Sequence, residues 1–171
     1  MRVLILGRFQ PFHNGHAELV RYAEKNYGEV VIAIGSAQES YTFRNPFTAG
    51  ERYEMIFNAL EELGIKHFYI VPIPDINRYG IYASHVKELV PSVKKIISNS
   101  PLIQELFKRE GFEVIDVPFF ERKKYAGIEI RKRIAEGRKW EHLVPDAVSS
   151  FIKKIKGEER IKKLAEIEER K

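Results

Sequence analysis

Five short apolar runs punctuate the chain, at residues 3–6, 30–34, 68–73, 93–97 and 114–117. They are mostly Val, Ile and Leu with little polar alternation. That pattern predicts strands covered on both faces, as in a parallel sheet. Between them the apolar spacing lengthens to that of helices. Residues 17–26 carry Leu19, Val20 and Ala23 on one face. Thr48-Ala49-Gly50-Glu51 has the spacing of a capping box ahead of Met55, Ile56, Ala59, Leu60 and Leu63. Shorter helices are predicted over 82–89 and 102–109. This β–α alternation predicts an α/β fold: a right-handed, doubly wound, Rossmann-like parallel sheet. A helical C-terminal part is expected from about residue 127, with one helix over 127–136. A second is expected to begin at Pro145 as its first residue and run to about 156. Gly157 is expected to break the pattern, with 158–171 helical at first and frayed at its end. No repeat or linker divides the chain, so residues 1–171 are read as one domain.

Composition narrows the chemistry. A chain of 171 residues, 44% apolar, fits one domain with a substantial core. There is no cysteine, which removes disulfides, thiolate nucleophiles and cysteine-based zinc sites. No apolar run is long enough to span a bilayer, and the apolar stretch after Met1 is too short for a secretory signal. A cytoplasmic protein is therefore expected. The net charge of +5 favours anionic partners without choosing among nucleotides, nucleic acid and membrane surface. The solvated surface accounts for most of the Lys and Arg. No stacking-rich basic motif of RNA-binding modules is present, so nucleic acid is not expected as a partner.

The most informative segment follows the first predicted strand: Gly7-Arg8-Phe9-Gln10-Pro11-Phe12-His13-Asn14-Gly15-His16. In open α/β sheets, ligands bind beyond the carboxyl ends of the strands. Gly7 and Gly15 permit close backbone approach, and Arg8 offers a fork of donors for phosphate oxygens. His13 and His16, three apart, project to one side where a helix begins. Free N–H groups at that helix N-terminus add to an anion site. Histidines three apart are often only surface or capping residues. Their position, with Gly and Arg beside them, favours phosphate binding. The loop lacks the Gly-Lys-Ser/Thr of a Walker loop and the three-glycine dinucleotide fingerprint. A second basic cluster, Gly127-Ile128-Glu129-Ile130-Arg131-Lys132-Arg133, opens a later helix. It puts Arg131 near the positive end of the helix dipole, where a docked anion reverses the unfavourable sign.

His13-Asn14-Gly15-His16 matches the His/Thr-x-Gly-His signature of the nucleotidyltransferase superfamily. The full run from Gly7 to His16 resembles the archaeal nicotinamide-mononucleotide (NMN) adenylyltransferases. Similar stretches are Ile34-Gly35-Ser36-Ala37-Gln38, the run from Asn45 to Arg52, and Trp140-Glu141-His142-Leu143-Val144-Pro145. The resemblance implies a site in which His13, His16 and Arg131 act on phosphates. Gly7, Arg8, Phe9, Gln10, Gly15, Gly127 and Ile128 would line the ATP side. It departs at Ile128 and Ala126, where relatives carry hydroxyl side chains.

For the acceptor, Ser36 and Asn99, at the predicted ends of the second and fourth strands, suit hydrogen bonds to ribose or phosphate. Arg44 is placed to reach the substrate phosphate, and the resemblance points to the stretch from Asp75 to Tyr82. Arg44 lies in a loop expected to be flexible. Tyr82 stands where relatives place a stacking aromatic, commonly Trp. Asn99, in Ser98-Asn99-Ser100, suits either a substrate hydrogen bond or simple turn chemistry. The implied reaction is attack of the NMN phosphate on the α-phosphorus of ATP, giving NAD⁺ and pyrophosphate. Mg²⁺ would be carried mainly by the ATP phosphates, and a homo-oligomer is implied. The alternatives are another phosphomonoester acceptor or a nucleotide sensor without turnover.

Overall fold

The computed structural model describes residues 1–117 and 126–171. Its elements run β1 (Arg2–Gly7), α1 (Asn14–Tyr27), β2 (Glu29–Ile34), α2 (Ala49–Glu62), β3 (Phe68–Pro72), α3 (Tyr82–Leu89), β4 (Lys95–Ile97), α4 (Pro101–Arg109) and β5 (Glu113–Ile115). They continue with α5 (Gly127–Ala135), α6 (Asp146–Lys154) and α7 (Gly157–Glu169). The five strands form one sheet in the order β3-β2-β1-β4-β5, every pair parallel. This is the expected doubly wound, Rossmann-like arrangement. The chain winds outward from β1 to β3, then crosses to β4 on the other side of β1. The switch point therefore lies at β1 and β4, where a crevice opens beyond the strand ends.

Side chains alternate across the sheet with period two. Val3, Ile5, Val30, Ile32 and Ile34 face one core, shared with α1, α2 and the C-terminal helices. Leu4, Val31, Ala33 and Ile96 face the other, shared with α3 and α4. The central strands are thus buried on both faces, which explains their unbroken apolar runs. On α2 the stripe Met55, Ile56, Ala59 and Leu60 is fully buried. Each of its large side chains contributes roughly 1.5–3 kcal/mol by leaving water. The capping box expected at Thr48 is formed: its side chain accepts from the Glu51 N–H, and the Glu51 carboxylate accepts from the Thr48 N–H.

Two expectations change at the C-terminal end. Pro145 is not the first helical residue of α6. With ψ at 148° its backbone is extended, so it caps the helix that starts at Asp146. Gly157 does not break the helical pattern; it opens α7, which continues to Glu169. The break falls one residue earlier, at Lys156, held in the left-handed region at φ 56°. Glycine is needed at 157 for closeness of packing. A Cβ there would lie 2.8 Å from Ile152 Cγ2 and 3.1 Å from Phe47 Cε1. Among the described residues, no helix is long and apolar enough to cross a membrane.

Candidate active site

Where β1 ends, the loop from Gly7 to His13 turns into α1 and forms one wall of a cleft of about 640 Å³. Arg8, Phe9, Gln10, His13 and His16 line this side; Gly127, Ile128 and Arg131 line the other; Phe43 and Arg44 stand at the mouth. Elements about 120 residues apart in sequence thus converge on one concave surface, as the resemblance implied.

The two histidines form the N-terminal cap of α1. The His13 Nδ1 accepts from the His16 backbone N–H at 3.4 Å, and the His16 Nδ1 accepts from the His13 N–H at 3.1 Å. The rings stack with centroids 3.6 Å apart. With both Nδ1 atoms accepting, each neutral ring carries its proton on Nε2. Burial pushes His13 down to about 3 and His16 well below its ordinary value, the latter also repelled by His13. The pair is therefore neutral near pH 7 and offers two N–H donors side by side. Gly15 sits between them in the first turn of α1. Phe9 is buried beneath the loop in the left-handed region at φ 54°, and its ring lies edge-on to His16.

Arg131 reaches back from α5 and donates to the Gln10 carbonyl at 2.7 Å. It is 6% exposed, and its buried Nε has no partner among the described residues. Burial pushes its pKa down to about 10, aided by repulsion from Arg8 and Arg44. Arg8 is lowered too, by burial and by Arg44. These cations repel one another, and no carboxylate among the described residues lines the cleft, so a polyanion is the complement that relieves them. Gly127 leaves room for the Arg131 guanidinium: a Cβ there would approach it to 2.9 Å and the Gln10 carbonyl oxygen to 3.3 Å, so the guanidinium would have to shift. The N-cap of α5 is Ala126, which makes no side-chain cap. Ala126 carries no hydroxyl to cap the helix, so among the described residues no side chain covers its N-terminal N–H groups, where an anion can dock. The Ile128 side chain is 66% exposed at the cleft.

The residues expected to hold the acceptor lie around the ends of β2, β3 and β4. Gly35 donates to the Gly7 carbonyl at 2.8 Å, and the Tyr82 hydroxyl would lie 3.9 Å from a Cβ built at Gly35. Burial, with Asp75 nearby, pushes Tyr82 up to about 12, so it remains a neutral phenol. Asp75 is locked to Gln38, whose side chain donates to its carboxylate and accepts from its N–H. Ser36 holds a left-handed conformation at φ 48°. The Asn99 side chain accepts from the Val117 N–H, while Ser98 and Ser100 supply turn and cap bonds. The turn chemistry weighed for this segment is thus present.

Arg44 lines the cleft, but its loop is not loosely held, contrary to expectation. The side chain of Gln10 bonds Phe47 both ways at 3.0 and 2.9 Å. Asn45 accepts from Arg8 at 3.2 Å, and the backbones of Thr42 and Asn45 are tied together. Arg160 of α7 grips the Glu51 carboxylate at 2.7 and 2.8 Å and also donates to the Pro46 carbonyl.

Gln10 therefore presents its backbone to the cleft and spends its side chain on the loop. The residue that sequence reasoning missed is Arg52, 0% exposed. Its spacing with Met55, Ile56 and Ala59 placed it on the apolar face of α2, the one available signal. Among the described residues, no group of three or more His, Asp or Glu side chains is placed to hold a metal ion.

A cationic cleft at the switch point of a parallel sheet is the signature of a protein that binds nucleotide phosphates. Residues 4–133 match the cytidylyltransferase-like family. The chain is 47% identical to a nicotinamide-nucleotide adenylyltransferase of Thermococcus onnurineus, covering 96% of this chain and 88% of that one. It is 44% identical to one of Picrophilus torridus over 99% of this chain and the whole of the other. The match to one of Methanothrix thermoacetophila is 46%, over 96% of each. The chain belongs to the cytidylyltransferase-like family and, within it, to the nicotinamide-nucleotide adenylyltransferases. Its fold is also that of a bifunctional NMN adenylyltransferase/ADP ribose pyrophosphatase from Francisella tularensis, solved with AMP and a manganese ion. That likeness has a TM-score of 0.74 at 21% identity, covering 95% of this chain and 51% of that one.

Proposed function

We propose that this protein transfers the adenylyl group of ATP to nicotinamide mononucleotide, giving NAD⁺ and pyrophosphate. The observation that carries the reading is the cleft itself: Arg8, Arg44 and Arg131 with two Nε2–H donors and, among the described residues, no carboxylate. A phosphate monoester is already nucleophilic at neutral pH, so no general base is required. The oxygen of the NMN phosphate forms the new bond to the α-phosphorus. The bond to the β-phosphate breaks, and its electron pair leaves on pyrophosphate.

His13 and His16 would donate to α- and β-phosphate oxygens. Arg8, Arg131 and the open N-terminus of α5 would hold the β- and γ-phosphates, with Gly7, Phe9, Gln10, Gly15, Gly127 and Ile128 shaping that side. Catalysis then rests on alignment and on stabilising the charge that develops on the leaving group. Mg²⁺ enters as part of the substrate, on the ATP phosphates, keeping most of its water shell. Arg44 would meet the acceptor phosphate, Tyr82 the pyridine ring, and Ser36, Asp75 and Asn99 the rest of the nucleotide. The same reading places the reaction in the cytoplasm, in a homo-oligomer.

Incubation with ATP, Mg²⁺ and a panel of phosphomonoesters tests this. Pyrophosphate and NAD⁺ should form in equal amounts with NMN. Turnover restricted to a non-pyridine acceptor would overturn the choice of acceptor. ATP binding without pyrophosphate from any acceptor would make the protein a sensor.

A further inference from the structure

Among the described residues, Arg52 is the largest fully buried side chain, and no carboxylate there pairs with it. All its partners are backbone carbonyls. It donates to Arg8 at 2.9 Å on the β1 loop. On the segment after β2 it donates to Gly35 at 3.0 Å, Ser36 at 3.2 Å, Ala37 at 3.4 Å and Glu39 at 3.2 Å. Its Nε closes back on Thr48 at 3.2 Å. The first of these carbonyls precedes Phe9, and two others bracket Ser36; both Phe9 and Ser36 hold left-handed backbone. Each conformation is disfavoured for a side-chain-bearing residue and persists only where the surroundings over-determine it.

The two segments belong to different halves of the site. The β1 loop carries the ATP-side residues Arg8, His13 and His16, whereas the β2 loop carries Ser36 of the acceptor side. One planar guanidinium, whose donors have fixed directions, spans both. A neutral residue could fill the space, but it could not bond five carbonyls across two loops. Nor does Arg52 face the cleft, so it touches no reacting atom.

We infer that Arg52 is a positioning residue that sets the distance and angle between the ATP-binding loop and the acceptor-binding loop, and so the in-line geometry of the transfer. The inference rests on the adenylyl-transfer reading above. It concerns alignment between two half-sites, each of which retains its own ligand contacts. An ammonium in place of the guanidinium keeps the charge but offers one nitrogen for contacts that Nη1, Nη2 and Nε now share, so most of the six-carbonyl set is lost; its cost falls on the reaction and spares the affinity for either substrate.

Arg52→Lys tests this, with Trp140→Phe as a control that loses a part-buried hydrogen bond (Trp140 Nε1 to Glu158, 2.7 Å) outside the cleft lining. For each protein, kcat on the acceptor that the wild type turns over, the binding of ATP alone and of acceptor alone, and the thermal midpoint are measured. Arg52→Lys should lower kcat by about 100-fold, the cost of a misplacement near 1 Å. Binding of each substrate singly should stay near wild type. Trp140→Phe should lower the thermal midpoint while keeping kcat per folded molecule.

A folded Arg52→Lys protein with wild-type kcat would overturn the inference. So would binding and turnover falling together in proportion to the folded fraction. Arg52→Gln, measured in the same way, keeps the test decisive if the lysine variant is poorly folded. Absence of turnover in the wild type would instead strike the adenylyl-transfer reading, which the same assay detects separately.

Discussion

The two halves of the site are built on different physics. The cleft after β1 is a concentration of unrelieved positive charge. Arg8 and Arg44 both lower Arg131, and Arg44 lowers Arg8; among the described residues the buried Arg131 Nε–H has no partner, and the N-terminus of α5 has no side-chain cap. The half beyond β2 to β4 is already satisfied internally: Asp75 holds Gln38, Asn99 holds the Val117 N–H, and Tyr82 packs edge-on to Phe107. The first half waits for a polyanion; the second offers shape and an aromatic face. Disruption should therefore be severe and rate-limiting on the phosphate side, and milder and specific to the acceptor on the other.

The largest effect is expected from the phosphate side. His16→Ala and Arg131→Met should each lower kcat by about 100- to 1,000-fold, the usual cost of a transition-state donor, while circular dichroism shows the fold intact. Near-normal rates would remove the cleft from the chemistry. Gly127→Ala should come next, because its new Cβ must displace the Arg131 guanidinium. Weaker ATP binding, measured by calorimetry, with acceptor affinity unchanged is the expected result.

On the other half, Tyr82→Leu should raise the KM for the mononucleotide by about 2- to 10-fold, the worth of one aromatic contact of 0.5–1.5 kcal/mol. The KM for ATP should hold. If both rise equally, the division between the halves fails. Ile128→Thr restores a hydroxyl at an exposed position on the cleft and should tighten ATP by about 2- to 10-fold, one hydrogen bond's net value. It should leave the thermal midpoint unchanged.

The smallest effect concerns stability against pH. The folded values of His13 and His16 lie below their ordinary one, so the unfolded chain binds more protons as pH falls below about 6.5, the unperturbed value. Stability from these residues is fully present above that value and is lost progressively on acidification towards the folded values. Denaturant midpoints between pH 7 and 5 should fall, and His13→Gln should flatten the slope.

The same contrast governs what could be read in the sequence. The strands were legible because a two-faced sheet demands unbroken apolar runs, and α2 because its cap and its stripe agree. The phosphate cleft was legible because charge, glycine and helix starts leave local marks: the segments around His13 and Arg131 each identified themselves, and the fold brought them together. Arg52 left almost no mark, since a buried arginine and a solvated one are the same letter. Only its register with Met55 and Ile56 told its face, and its carbonyl partners exist only in the folded chain. Gly157 misled because glycine most often signals a break, whereas here it serves close packing against Ile152. The tight hold on the Arg44 loop depends on Arg160, more than a hundred residues away, and no local pattern announces that.

In the proposed mechanism, His13 and His16 would donate hydrogen bonds from Nε2 and would not attack phosphorus, because each Nδ1 is occupied by a backbone N–H and each Nε2 by its proton. The direct measurement is the configuration at the α-phosphorus of the dinucleotide formed from a single diastereomer of adenosine 5′-O-(1-thiotriphosphate). One in-line displacement predicts inversion. Retention would mean two displacements through an adenylylated side chain, and would contradict the account.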